Sequence, residues 1–150
     1  YGYVCKRFKW IMKDTLRKVP LIGKACEDTD HIFVNRSTPQ KDLLRKSINI
    51  LKSGASMGIF PEGTRCRNGK MNPFKKGAFV IANMTQTPVL PITIDGAYNI
   101  LPKGCKCLHW SPVTLTFHAP IECQGRDSES VERMMHEAET VIADTLYKNK

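Results

Sequence analysis

Apolar positions along this chain recur with two periods. Residues 8–12 (Phe-Lys-Trp-Ile-Met), 31–35 (His-Ile-Phe-Val-Asn), 57–60, 89–94 and 113–117 are short apolar or alternating runs, the pattern of strands. Between them the period lengthens to that of a helix. Leu43, Leu44, Ile48 and Leu51 share one face of a helix that Thr38 caps, Pro39 opens and Gly54 ends. Residues 74–84 predict another. Val131, Met134, Met135, Ala138, Val141, Ile142 and Leu146 form the longest stripe and predict a final helix starting at Asp127 or Ser128. Its Glu and Arg residues lie on the other side, so the stripe reads as core packing. Asp14 is placed to cap a helical stretch that breaks at Val19-Pro20, and residues 21–26 resume a helix. Pro91, inside a strand run, signals an edge or a bend. Strands alternating with helices predict an α/β fold: one domain, with a largely parallel sheet flanked by helices.

Composition narrows the partners. The chain has 150 residues, enough for one domain with a sizeable core. Lys and Arg number 23 against 14 Asp and Glu, a net charge of +9 that favours phosphate ligands, anionic lipid or nucleic acid. A nucleic-acid binder needs clustered cations with exposed aromatics; the aromatics here fall in predicted strands, so no nucleic-acid partner is expected. Residues 1–26 hold seven Lys/Arg and one acid, Asp14, so the segment from Lys6 to Lys24 faces either anionic headgroups or solvent. No apolar run approaches the roughly 20 residues that cross a bilayer. The six cysteines are scattered, as free thiols of a reducing compartment would be. Cys105-x-Cys107-x-His109 lacks the usual metal spacing and a second ligand pair, so no metal is expected. The glycosylation triplets at Asn35 and Asn83 lie in segments expected to pack.

The chemistry concentrates at Ile59-Phe60-Pro61-Glu62-Gly63-Thr64-Arg65-Cys66-Arg67. An apolar run stops at Pro61; a carboxylate, a glycine, a hydroxyl and two arginines follow. Gly63 lets backbone N–H groups approach a ligand, and Arg65 offers a planar fork that matches a phosphate. Two readings fit these residue types: an anion site at the carboxyl end of a strand, or a charged surface loop closed by an internal Glu–Arg pair.

The flanking segments separate the two. Phe60-Pro61-Glu62-Gly63-Thr64-Arg65 resembles the third motif of the glycerolipid acyltransferase family, the 1-acylglycerol-3-phosphate acyltransferases and their relatives. His31-Ile32-Phe33-Val34-Asn35-Arg36 is similar to the second motif, with Asn35 where an acid is common. Phe74-Lys75-Lys76-Gly77-Ala78-Phe79 resembles the segment after the third motif. Thr87-Pro88-Val89-Leu90-Pro91-Ile92 resembles the fourth, which accounts for a proline in a strand. Four motifs in the family's order make the anion site the stronger reading.

The resemblance implies acyl transfer from acyl-CoA, as co-substrate and with no cofactor, to the free hydroxyl of 1-acylglycerol 3-phosphate. Glycerol 3-phosphate or another lysophospholipid is the alternative acceptor, and a non-catalytic phospholipid-binding module the alternative class. It implies substrate-binding roles for Arg36, Glu62, Gly63, Thr64, Arg65 and Lys75. Arg65 and then Arg36 would hold the acceptor's phosphate. Glu62 would order the loop by accepting hydrogen bonds, or serve structure alone. Thr64 would donate to the phosphate or cap a turn, Lys75 would stand near a helix start, and Lys76 reads as a solvated charge. It also implies membrane association, at the endoplasmic reticulum or another internal membrane, through a segment outside this chain.

In that family the base is the histidine of a His-x-x-x-x-Asp motif, with the aspartate orienting the imidazole. Here the fifth residue after His31, His109, His118 and His136 is Arg36, Thr114, Cys123 and Val141. No catalytic residue is therefore assigned. The chain reads as the binding part of an acyltransferase truncated just after that motif, inactive by itself; a natural pseudoenzyme is the alternative.

Overall fold

The computed structural model describes residues 8–35, 40–66, 68–102, 104, 105 and 107–148. They form two compact units, Tyr1–Ile59 and Phe60–Lys150.

The first unit is built on a parallel sheet of three strands, β1 (Phe8–Lys13), β2 (Ile32–Val34) and β3 (Ser56–Gly58), in the order β2-β1-β3. Ile11 pairs with Ile32 on one side of β1, and Trp10 pairs with Gly58 on the other. Helices α1 (Ile22–Asp28) and α2 (Gln40–Lys52) supply the crossovers. A connection between parallel strands needs such a detour, which is why the strand and helix periods alternate in the sequence. The face of α2 carrying Leu43, Leu44, Ile48 and Leu51 is half-buried, and the helix packs on β2 and β3. Its expected cap, Thr38, with Pro39 and Arg36, lies outside the described residues.

The stretch after β1 departs from the expected capped helix. Asp14–Lys18 is a 3-10 turn preceded by Lys13, which makes no side-chain cap. The Asp14 carboxylate instead meets Arg17 at 3.6 Å. Arg17 also reaches Glu27 at 2.7 Å and lies over the Phe33 ring, 4.7 Å from its centre. The carboxylate is thus turned to a side-chain pair, and the turn that follows β1 has no side-chain cap.

The second unit packs α3 (Gly77–Thr85) and α5 (Ser128–Tyr147) around Phe79, Ile121, Val131, Met134 and Ala138, all buried. The stripe on α5 is the core face, and Met134 is fully buried. Asp127 caps the helix, its Oδ1 accepting from the Ser130 N–H at 2.7 Å. Strands β4 (Ile92–Asp95) and β5 (Thr114–Phe117) pair antiparallel, with the short helix α4 (Ala97–Ile100) between them in the chain. β4 is shorter than the run 89–94 because Pro91 has no N–H. Val89 makes a separate two-bond bridge to Ile121, and the Pro91 carbonyl accepts from His118 N–H at 3.1 Å. Thr93, buried beneath the pair, bonds His118 Nε2 through Oγ1 at 2.8 Å. Asn83 is buried, with its amide donating to the Asp127 carbonyl, so that triplet cannot accept a glycan.

One histidine should make the stability of the first unit depend on pH. Burial, and then the Lys9 ammonium, hold His31 below its usual pKa of 6.5, with Asp30 opposing. The folded state thus resists the proton that the unfolded chain accepts, so this contribution is present above pH 6.5 and is lost as pH falls towards the folded-state pKa. Melting temperature should fall on acidification from pH 7 to 5, and the fall should be smaller in His31→Asn. Equal falls would overturn it.

Candidate functional site

The loop that follows β3 in the chain is tied down from within the second unit. The Phe60 carbonyl accepts from the Gly63 N–H at 3.0 Å, closing a four-residue turn with Pro61 at its second position. Gly63 ends that turn at φ +69°, open to glycine without strain. The Pro61 carbonyl accepts from the Lys75 N–H at 2.9 Å, joining the turn to the segment ahead of α3. That bond delays the helix: α3 begins at Gly77, rather than at residue 74 as its periodicity predicts. Further round, the Met71 N–H donates to the Tyr147 hydroxyl at 2.9 Å, so the end of α5 pins the loop's far arm.

Glu62 decides how the loop's charges are used. Its Oε2 accepts from the Asn72 backbone N–H at 2.7 Å and from the Asn72 side-chain amide at 2.9 Å. The carboxylate is half-buried and satisfied ten residues along the chain, and no Glu62–Arg65 pair forms among the described residues. Among the described residues, then, the Glu62 carboxylate is held by Asn72 rather than by an arginine of the loop. Arg65 and Thr64 are exposed, and Arg65 has no carboxylate partner among the described residues.

Lys75 is exposed and its side chain lies along Gly63. A Cβ built there would stand 3.0 Å from Nζ and 3.2 Å from Cε, so a larger residue would displace the ammonium as well as strain the turn. Lys76, by contrast, is paired: its ammonium meets Glu132 at 2.6 Å, and that contact holds the Glu132 carboxyl below its usual range. The geometry brings together Glu62, Gly63, Thr64, Arg65 and Lys75 on one loop. Arg36 belongs to the other unit and lies outside the described residues, so its position relative to the loop is not defined.

Sequence reasoning passed over Asn72. A side-chain amide wedged between Met71 and Pro73 at the return of a charged loop is the signal that points to it. Asn72→Ala removes one of two donors and leaves the backbone one. At about 1 kcal/mol for the lost bond, the folding equilibrium of the chain in urea should shift roughly fivefold. No shift would mean that the backbone bond suffices.

Among the described residues no group of three or more His, Cys, Asp or Glu could hold a metal. The Cys123 thiol is pushed up by burial and then by Glu122, and it packs against the Thr87 carbonyl and the Met134 sulfur. Among the described residues no helix is long and apolar enough to cross a membrane.

Comparison with known proteins identifies the family. Residues 2–95 match the family described as Acyltransferase. The chain is 36% identical over 142 residues to the Brassica napus 1-acyl-sn-glycerol-3-phosphate acyltransferase BAT2, chloroplastic, covering 93% of this chain and 40% of that protein. It is also 36% identical to the Arabidopsis thaliana chloroplastic enzyme LPAT1, covering 94% and 39%. Among solved structures it resembles the Thermotoga maritima 1-acyl-sn-glycerophosphate (LPA) acyltransferase PlsC, with TM-score 0.71 and 33% identity over 91% of this chain and 54% of that one. The chain thus spans about two fifths of the length of these two curated relatives. Matched by that family model over residues 2–95, and 36% identical to two named relatives over more than nine tenths of its length, the chain belongs to the acyltransferase family.

Proposed function

We propose that this chain is the acceptor-binding part of an enzyme that transfers an acyl group from acyl-CoA to the free hydroxyl of 1-acylglycerol 3-phosphate, giving phosphatidic acid. The observation that carries this is the pairing of Glu62 with Asn72, which leaves Arg65 and Lys75 free for a phosphate. Three of the relatives named 1-acyl-sn-glycerol-3-phosphate acyltransferases are at least 32% identical over more than nine tenths of the chain, which favours this acceptor over glycerol 3-phosphate.

In the reaction the hydroxyl oxygen attacks the thioester carbonyl, the C–S bond breaks, and the thiolate of CoA leaves with the proton taken from the hydroxyl. Arg65 would grip two phosphate oxygens through its planar fork. Lys75 would supply a point charge, Gly63 backbone approach and Thr64 a hydroxyl donor. Holding the phosphate fixes the hydroxyl's distance from the donor carbonyl, which is the entropic part of catalysis. Proton removal needs a base, and the His-x-x-x-x-Asp arrangement that would provide it does not occur in these 150 residues. We assign that step to a part of the complete protein outside them.

The test is thiol release from acyl-CoA in the presence of lysophosphatidic acid. The complete protein should turn over, and the 150-residue chain alone should not. Turnover by the chain alone would refute the missing-base argument; an inactive complete protein whose phosphate binding ignores Arg65 would overturn the assignment.

A further inference from the structure

We infer that the turn leading into α1 is a docking point for an anionic phospholipid surface, with Leu21 and Ile22 entering the bilayer and Lys18 and Lys24 meeting its phosphates. The choice of partner rests on the lipid-acceptor reading above.

Leu21 is 89% exposed and Ile22 53% exposed, side by side at the tip of a turn. Leu21 sits at φ 65°, ψ −48°, and the Pro20 carbonyl accepts from the Ile22 N–H at 2.7 Å. This is the positive-φ form of the three-residue turn, rare and strained for any residue with a Cβ. The surroundings hold it there. Gly23 N–H donates to the Val19 carbonyl at 2.8 Å, and a Cβ on Gly23 would stand 2.0 Å from the Arg17 carbonyl oxygen, so α1 sits hard against the 3-10 turn. Folding alone would favour glycine at position 21. A large apolar side chain, strained and turned to solvent, serves nothing inside the unit.

The charge around the tip has one sign. Residues 18–26 contain Lys18 and Lys24 and no acid. Both lysines are exposed and pair with nothing among the described residues. The neighbouring acids are engaged elsewhere: Asp14 and Glu27 hold Arg17, and Asp30 faces Lys9 at 4.0 Å. Asp28 lies at the far end of α1. An exposed aliphatic pair between two long-stemmed ammonium groups matches a bilayer interface, where apolar tips enter the acyl boundary and cations stay among the phosphates.

Co-sedimentation of the 150-residue chain with phosphatidylcholine vesicles, with and without phosphatidylglycerol, tests this. Binding is expected only with the anionic lipid. Leu21→Gly should weaken it about tenfold or more. The same change should leave the melting temperature unchanged or higher, because glycine adopts this φ without strain. Lys18→Gln with Lys24→Gln should weaken binding roughly 30-fold, at about fivefold per lysine. Wild-type chain that ignores anionic vesicles, or variants that bind as wild type does, would overturn the inference. So would a Leu21→Gly chain that melts several degrees lower, since Leu21 would then serve the fold. Transfer to a dispersed short-chain acceptor by the complete protein needs no vesicle, so it separates failure of docking from failure of the acyltransferase reading.

Discussion

Arg65→Ala in the complete protein should lower kcat/KM for lysophosphatidic acid by about 10²-fold. The estimate takes the loss of a bidentate, charge-assisted contact as about 3 kcal/mol. The control is the acceptor itself: a monoacylglycerol, which has the hydroxyl but no phosphate, should be used as poorly by the variant as by the wild type. Arg65→Lys should recover only part of the loss, because an ammonium keeps the charge but not the planar fork. An Arg65→Ala protein that loses the same factor with both acceptors would show that the guanidinium serves the loop's structure instead. The structure argues for the phosphate, since the loop is held by the Phe60–Gly63, Pro61–Lys75 and Glu62–Asn72 bonds, none of which involves the Arg65 side chain.

Phe79→Ala should cost about 3–5 kcal/mol of stability, the range for emptying a buried aromatic site. Phe79 is 2% exposed, belongs to the same cluster as Met134 and Val131, and stacks on Phe74 with ring centres 6.3 Å apart. Against a total stability of about 5–15 kcal/mol, that loss removes a large fraction of what keeps a domain folded. Urea denaturation of the 150-residue chain reads it as a lower midpoint with an unchanged slope. The consequence reaches the site, because Phe74 adjoins Lys75, whose N–H holds the Pro61 carbonyl. Phosphate binding should therefore weaken before the unit unfolds globally. A shift under 1 kcal/mol would mean that the cavity collapses around Ile121 and Met134.

Much of this protein is readable one residue at a time. The stripe from Val131 to Leu146 and the cap at Asp127 are local facts, because a helix repeats every 3.6 residues and its first N–H groups need an acceptor within one turn. The strands of the parallel sheet show as short apolar runs because helices cover such a sheet, although β3, Ser56–Gly58, ends before the run at 57–60 does. The chemistry of Glu62, Gly63, Thr64 and Arg65 was equally visible, since it is written in nine consecutive residues.

What stayed hidden depends on contacts that neither period nor motif encodes. Asp14 looked like a cap, but its carboxylate meets Arg17, which Glu27 also holds. Residue 74 looked like a helix start until Lys75 gave its N–H to Pro61. Leu21 read as an ordinary apolar residue of a resumed helix, and only the packing of Gly23 against the Arg17 carbonyl turns it outward.

Sequence alone thus determined the α/β alternation, the residues able to meet a phosphate, and the lack of a His-x-x-x-x-Asp base within the chain. Periodicity, composition and motif are properties of neighbours along a chain, so they suffice for these. The tertiary structure decided where the Glu62 carboxylate goes, because its partner Asn72 is a matter of loop closure rather than of spacing. With Glu62 satisfied there, Arg65 stands exposed with no carboxylate partner among the described residues.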